Sequence, residues 1–232
     1  MHRLVAELRT LIDADLTHPA IAAPVAAGVS GVSAYLAQDF VVAESVEILV
    51  RNHGPAVAAQ AVRVAAQVAG ALDFAAAMNI AHGALHPRDV LVSADDTRLT
   101  GLGLTRALER VGAAAAIRPT YSAPERAAGA AWDRRADVFS LAAIVHELLW
   151  ARPITALGQQ AAATLTEVAG GDLDALRGVF ARALAEDPAG RFETALRFAA
   201  ALRSAIPVSM PNVSLGNGSA VVLIVSCAPM KI

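Results

Sequence analysis

"IAHGALHPRDVLV", residues 80–92, sets two histidines, an arginine and an aspartate between apolar flanks in an otherwise alanine-rich chain. Upstream, Pro55 to Met78 is dense in alanine and valine. Pro55 is placed for a first turn and Asn79 for a left-handed C-terminal cap, which predicts one long buried helix leading into the polar loop. Downstream, "DVLVSADDTRLTGLG" predicts two short strands, Val90–Ser93 and Arg98–Thr100, around a turn at Ala94-Asp95-Asp96.

Further out on the N-terminal side, Leu4, Val5, Leu8, Leu11 and Ile12 recur at spacings of three and four. They predict an amphipathic helix over 2–13 that stops before His18-Pro19. The runs "IAAPVAAGVSG" and "VSAYLAQDFVV" meet at a turn in Gly28–Gly31 and read as a strand pair. On the C-terminal side, helical periodicity returns in "DRRADVFSLAAIVHELLW", "DLDALRGVFARALAE" and "RFETALRFAAALRSA", the last two separated by Asp187-Pro188-Ala189-Gly190. After Pro207 the composition turns to Ser, Asn, Gly, Val and Pro, and Asn217-Gly218 marks a hairpin or a linker. Strands interleaved with helices count against an alanine-rich helical solenoid.

Composition bounds the function. The chain is 56% hydrophobic and 17% charged, with a formal net charge of −2 and scattered basic residues, so it presents no electrostatic footprint for nucleic acid. The single Cys227 forms no internal disulfide and suits a reducing, cytoplasmic setting, where a buried apolar thiol is its default role. Charges at Arg3, Glu7, Arg9, Asp13 and Asp15 interrupt any signal-peptide pattern. The apolar run from Ser219 to Met230 falls short of the ~18–20 residues a membrane-spanning helix needs and reads as a buried strand.

Taken in order, these segments resemble the protein kinase fold of the bacterial serine/threonine type. "LTHPAI" (Leu16–Ile21) is similar to the stretch after helix C, and "IAHGALHPRDVLV" to the catalytic loop. "TGLGLTR" (Thr100–Arg106) stands at the Asp-Phe-Gly motif, and "YSAPER" (Tyr121–Arg126) carries the Ala-Pro-Glu motif unaltered. "DRRADVFSLAAIVHELL" is similar to helix F, and "ALAEDPAGRF" to the segment before the last helix. The resemblance implies an α+β protein kinase-like fold: a truncated N-lobe of helix C and two strands over residues 1–44, a mainly helical C-lobe over 45–206, and a tail over 207–232. It also implies structural roles for four residues. Glu125 pairs with Arg191 in a buried bidentate bridge, and Asp137 holds the catalytic-loop backbone beside His82.

The chemistry of the family is what this chain lacks. Phosphoryl transfer needs a catalytic-loop aspartate, metal-holding asparagine and aspartate, a lysine on the phosphates and a glycine-rich loop. Ala84 replaces the catalytic aspartate, His86 the loop lysine, Asp89 the asparagine, and Gly101 the first residue of Asp-Phe-Gly. Gly83 replaces the loop arginine, so a phosphate on Thr105, Thr120 or Ser122 would lack its usual partner. Glu7 stands for the helix C glutamate without the lysine that would pair with it. No catalytic residue, bound ATP or Mg²⁺ is therefore expected. The expectation is a pseudokinase that binds a protein partner in signalling, either an active kinase or a second copy of the chain. The alternatives are a fragment of a serine/threonine kinase with residual ATP binding, and the cytoplasmic domain of a membrane receptor kinase; a membrane link follows only if the chain is a fragment.

Smaller motifs have blander readings. His82, His86 and Asp89 are spaced as an H-x₃-H-x₂-D cluster, yet the kinase register makes His82 a core histidine and Asp89 a solvated loop residue rather than a metal ligand. Gly101–Gly103 is a turn that opens no helix, and Phe139, Leu141, Leu148 and Trp150 are core. The N-lobe lacks three strands, which leaves a sheet edge for residues 208–226 or a partner chain to cover.

Overall fold

A computed structural model describes residues 1–207 and the backbone of a strand at 222–224. The first helix, α1 (His2–Asp13), buries Val5, Leu8 and Leu11 along one face, as their spacing predicts. It is followed by an antiparallel hairpin of β1 (Pro24–Ser30) and β2 (Ser33–Asp39). Ser30 lies opposite Ser33, so the turn is Gly31-Val32, shorter and later than the one expected over Gly28–Gly31.

The chain then enters a second antiparallel sheet at β3 (Glu44–Ser45), and α2 (Val46–His53) follows directly. The Ser45 hydroxyl caps α2 by accepting from the Ile48 N–H (3.4 Å). The long helix α3 (Ala58–Ala77) starts three residues beyond Pro55, which therefore lies outside its first turn. Asn79 takes the left-handed conformation expected after its end, with φ +58°. β4 (Val90–Val92) and β5 (Thr97–Leu99) complete the second sheet in the order β3-β4-β5. Leu99 also exchanges backbone bonds with Ala20 and Ala22 (2.8 and 2.9 Å), tying the segment after α1 to this sheet.

The remainder is helical: α4 (Leu104–Arg110), α5 (Pro124–Ala127), α6 (Arg135–Trp150), α7 (Gly158–Ala163), α8 (Leu173–Ala183) and α9 (Ala195–Ala205). α6 is central, with almost every residue from Ala136 to Leu149 buried. Alanines along α3 let it pack closely against α6 and α9, and aromatic rings fill the wider gaps. Trp150 and Phe180 meet edge to face at 5.4 Å, and Phe180 and Phe198 at 6.2 Å. A helix buried on all sides must satisfy its polar side chains internally, and α6 carries Asp137 and His146.

Beyond residue 207 only β6 (Val222–Ile224) is described; it runs antiparallel along β2, with Ala37 opposite Ile224. The expected hairpin signal at Asn217-Gly218, and Cys227, lie outside the described residues. Among the described residues no helix is long and apolar enough to cross a membrane.

Candidate functional site

Asp137 is the post on which the loop hangs. From the buried first turn of α6, its two carboxylate oxygens accept the backbone N–H groups of His82 (2.8 Å) and Gly83 (2.7 Å). Burial raises its pKa above the usual carboxylate range, while His82, these two N–H bonds and Arg126 act in the opposite sense.

The His82 ring comes next in this frame. Its Nδ1 accepts from the Ala84 N–H (3.4 Å), so its Nε2 carries the hydrogen and donates to the Thr100 carbonyl (3.0 Å). A Cβ on Gly101 would lie 3.2 Å from the same Nε2. One buried imidazole therefore links Ala84 and Gly101, the two positions where the kinase resemblance calls for carboxylates.

His86 and Asp89 bracket a short 3₁₀ turn, Pro87–Asp89, and cap it reciprocally. The His86 Nδ1 accepts from the Arg88 N–H (3.2 Å), and Asp89 Oδ2 accepts from the His86 N–H (2.9 Å). That oxygen also sits 3.7 Å from His82 Nε2. Asp89 is thus an internal cap, not the solvated loop residue expected, because the 3₁₀ turn aims its carboxylate at its own backbone. Burial lowers the pKa of His86, with Arg118 adding to the effect, and its ring meets Tyr121 edge to face at 4.8 Å.

The Gly101–Gly103 turn does open a helix, contrary to the sequence reading: Gly103 is the N-cap of α4. The space beside Gly103 belongs to α1, since a Cβ there would fall 2.4 Å from Leu11 Cδ2. Leu102 is buried behind it. Glu7 of α1 has a partner after all, in Arg110 of α4, 3.1 Å away. Periodicity in seven residues was too short to announce α4, so this pair could not be read from the sequence.

Below the loop, Arg191 donates to both oxygens of Glu125 at 2.8 Å each, as the resemblance implies. Arg126, the next residue after Glu125, reaches the loop itself, its Nε donating to the Gly83 carbonyl (2.8 Å). Arg126, Glu109 and Trp132 are the participants that the sequence reading missed; only the position of Arg126 directly after Ala-Pro-Glu hinted at it.

The family profile of the protein kinase domain matches residues 2–174. The chain belongs to the protein kinase family. It is 33% identical over 182 residues to the serine/threonine-protein kinase PknD of Mycobacterium tuberculosis, covering 71% of this chain and 27% of that protein. It is 29% identical over 226 residues to the serine/threonine-protein kinase PknB of Mycobacterium leprae, covering 86% of this chain and 36% of that protein. The chain thus spans about a third or less of the length of these relatives. As a bacterial serine/threonine kinase-like domain it keeps the frame at Asp137, His82, Glu125 and Arg191. Ala84, His86, Asp89 and Gly101 stand at the positions where the sequence resemblance implies a departure from the family's motifs.

Proposed function

We propose that this domain transfers no phosphate and serves in signalling as a protein-interaction or allosteric scaffold. The observation that carries this reading is the pair Ala84 and Gly101, held on either flank of the His82 ring. Both positions are built into the frame, and neither offers a side-chain oxygen to orient a hydroxyl or hold Mg²⁺. Asp89 is turned onto the His86 N–H, and the one lysine among the 232 residues is Lys231. The partner in this proposal is another protein, an active kinase or a second copy of the chain, and the setting is the cytoplasm.

A second reading, a piece of a longer kinase that retains nucleotide binding, draws support from the fraction of its relatives that the chain spans. Residues beyond either end would not supply carboxylates at 84 and 101. A thermal shift with ATP, with and without Mg²⁺ or Mn²⁺, separates the two. No metal-dependent rise in melting temperature is expected. Such a rise, or γ-phosphate transfer that Asp89→Ala abolishes, would overturn the scaffold proposal.

A further inference from the structure

At Gly83, where the family places an arginine, the space for a side chain is already taken. A Cβ built there would lie 2.4 Å from Trp132 Cη2 and 2.8 Å from its Cζ2. Trp132 is itself clasped by two guanidinium groups, with Arg106 3.7 Å and Arg126 4.6 Å from its ring centroid. One carboxylate joins them. Glu109 Oε1 accepts from Arg126 Nη1 (2.6 Å) and from the indole N–H of Trp132 (3.4 Å), while its Oε2 accepts from Arg106 Nη1 (3.0 Å). Arg106 Nη2 donates to the Trp132 carbonyl (3.0 Å), and Arg126 Nε to the Gly83 carbonyl (2.8 Å).

We propose that Glu109 is a permanent substitute for an activation-segment phosphate: with Arg106, Arg126 and Trp132 it fixes residues 104–132 against the catalytic loop with no modification step. A phosphate would supply negative charge to arginines that bridge the segment and the loop. Glu109 already supplies it, to an arginine that holds the loop carbonyl directly. Trp132 fills the volume that a loop arginine would need, so Gly83 and Trp132 exclude the usual device as a pair. Thr105 fits the same picture: it is buried, with its methyl 3.0 Å from the Gly83 Cβ position, out of reach of a modifying enzyme. The clamp acts whether or not the domain transfers phosphate, so its test stands apart from that of the scaffold proposal.

The test uses the whole chain, shown by mass spectrometry to carry no phosphate on residues 104–132. Thermolysin cleavage of the Ala116–Ile117 bond, where Ile117 is exposed, and amide hydrogen exchange over 111–131 report the segment, and exchange in α6 and α9 reports the rest. The unphosphorylated wild type is expected to be protected. Glu109→Gln and the milder Arg106→Gln are expected to speed cleavage by about ten-fold and about three-fold, with α6 and α9 unchanged. Glu193→Gln, which removes the exposed pair with Arg134, is expected to change it by less than about two-fold. A wild-type segment that exchanges like a free peptide would overturn the clamp. Rates in both clamp variants within about two-fold of wild type would do the same, as would equal acceleration in the control.

Discussion

Arg191 spends every guanidinium donor inside the protein while gripping Glu125 at two points, 2.8 Å to each oxygen. Its remaining bonds go to the carbonyls of Ala185 (2.8 Å), Arg135 (3.2 Å) and Glu186 (2.9 Å), and its charge lies 5.0 Å from the Phe139 ring centroid. The pair thereby fastens α5 to α6 and to the segment leading into α9. Truncating one partner leaves the other charged and buried, so Glu125→Ala is expected to cost about 3–5 kcal/mol in urea unfolding. Arg191→Lys should be costly as well, since one ammonium cannot reproduce a two-point grip. A loss below about 1 kcal/mol in both variants would mean that the bridge does not join these elements.

Acid should weaken the fold over a defined window. Burial holds His146 down to about 4 from its ordinary 6.5, with its Nδ1–H donating to the Arg152 carbonyl (3.0 Å). Between those values the unfolded chain binds the proton and the folded chain does not, so stability falls as pH drops from about 6.5 to 4 and levels off below. The loss from this one ring is on the order of 3 kcal/mol. His18 and His86 are also lowered, by burial first, and act in the same direction. Asp137, raised by burial, acts in the opposite sense. Urea midpoints for wild type and His146→Gln at pH 7.5, 5.5 and 4.5 isolate the histidine: the variant should show the shallower dependence, and identical slopes would contradict it.

The sequence revealed long elements better than short ones, for a physical reason. α1, α3, α6, α8 and α9 each carry enough turns for apolar spacing to repeat, and the Glu125–Arg191 and Asp137–loop contacts follow from the family register. α2 has the ordinary start and stop residues of a helix in Ser45, Glu47 and Gly54, but its eight residues are too few for apolar spacing to repeat. α4 has seven residues and α7 six, too few for a period to show. The capping role of Asp89 is not legible in the sequence, because whether a loop carboxylate faces water or its own backbone depends on dihedral angles that residue type does not fix. The Glu109–Arg126–Trp132 cluster is assembled from three separate segments, and nothing in the neighbourhood of any one of them announces the others.

Asp73 shows how such distant pairings carry stability. From near the C-terminal end of α3 its carboxylate oxygens accept the Ala195 and Leu196 N–H groups, each at 3.0 Å, covering the first turn of α9. Thr194 caps the same helix through the Arg197 N–H (3.2 Å). Asp73→Ala leaves two donors of that turn without a partner and removes a negative charge from the positive end of the helix, so a loss of about 1–2 kcal/mol is expected. In a chain of this size that corresponds to a melting temperature lower by about 3–6 °C. Asp73→Asn, which keeps one acceptor, should lose less, and equal losses would show that the cap is not the cause.

If the domain transfers no phosphate, as proposed, placing carboxylates at positions 84 and 101 should not produce a kinase. Asp tolerates the left-handed backbone of Gly101 (φ +81°) better than most residues, but its Cβ would press on His82 Nε2 at 3.2 Å, the atom that donates to the Thr100 carbonyl. Asp89 would still spend an oxygen on the His86 N–H, and His86, held below its usual pKa by burial, would still be neutral where the family uses a lysine. Groups that act as a unit fail as a unit, so restoring two of them regains little of the rate that all supply together. The double variant Ala84→Asp, Gly101→Asp is therefore expected to move no γ-phosphate to serine or threonine peptides, measured with labelled ATP and Mg²⁺ or Mn²⁺. Transfer that appears in the double variant and disappears on adding Asp89→Ala would place the whole loss at two positions and refute the view that it is spread across the site.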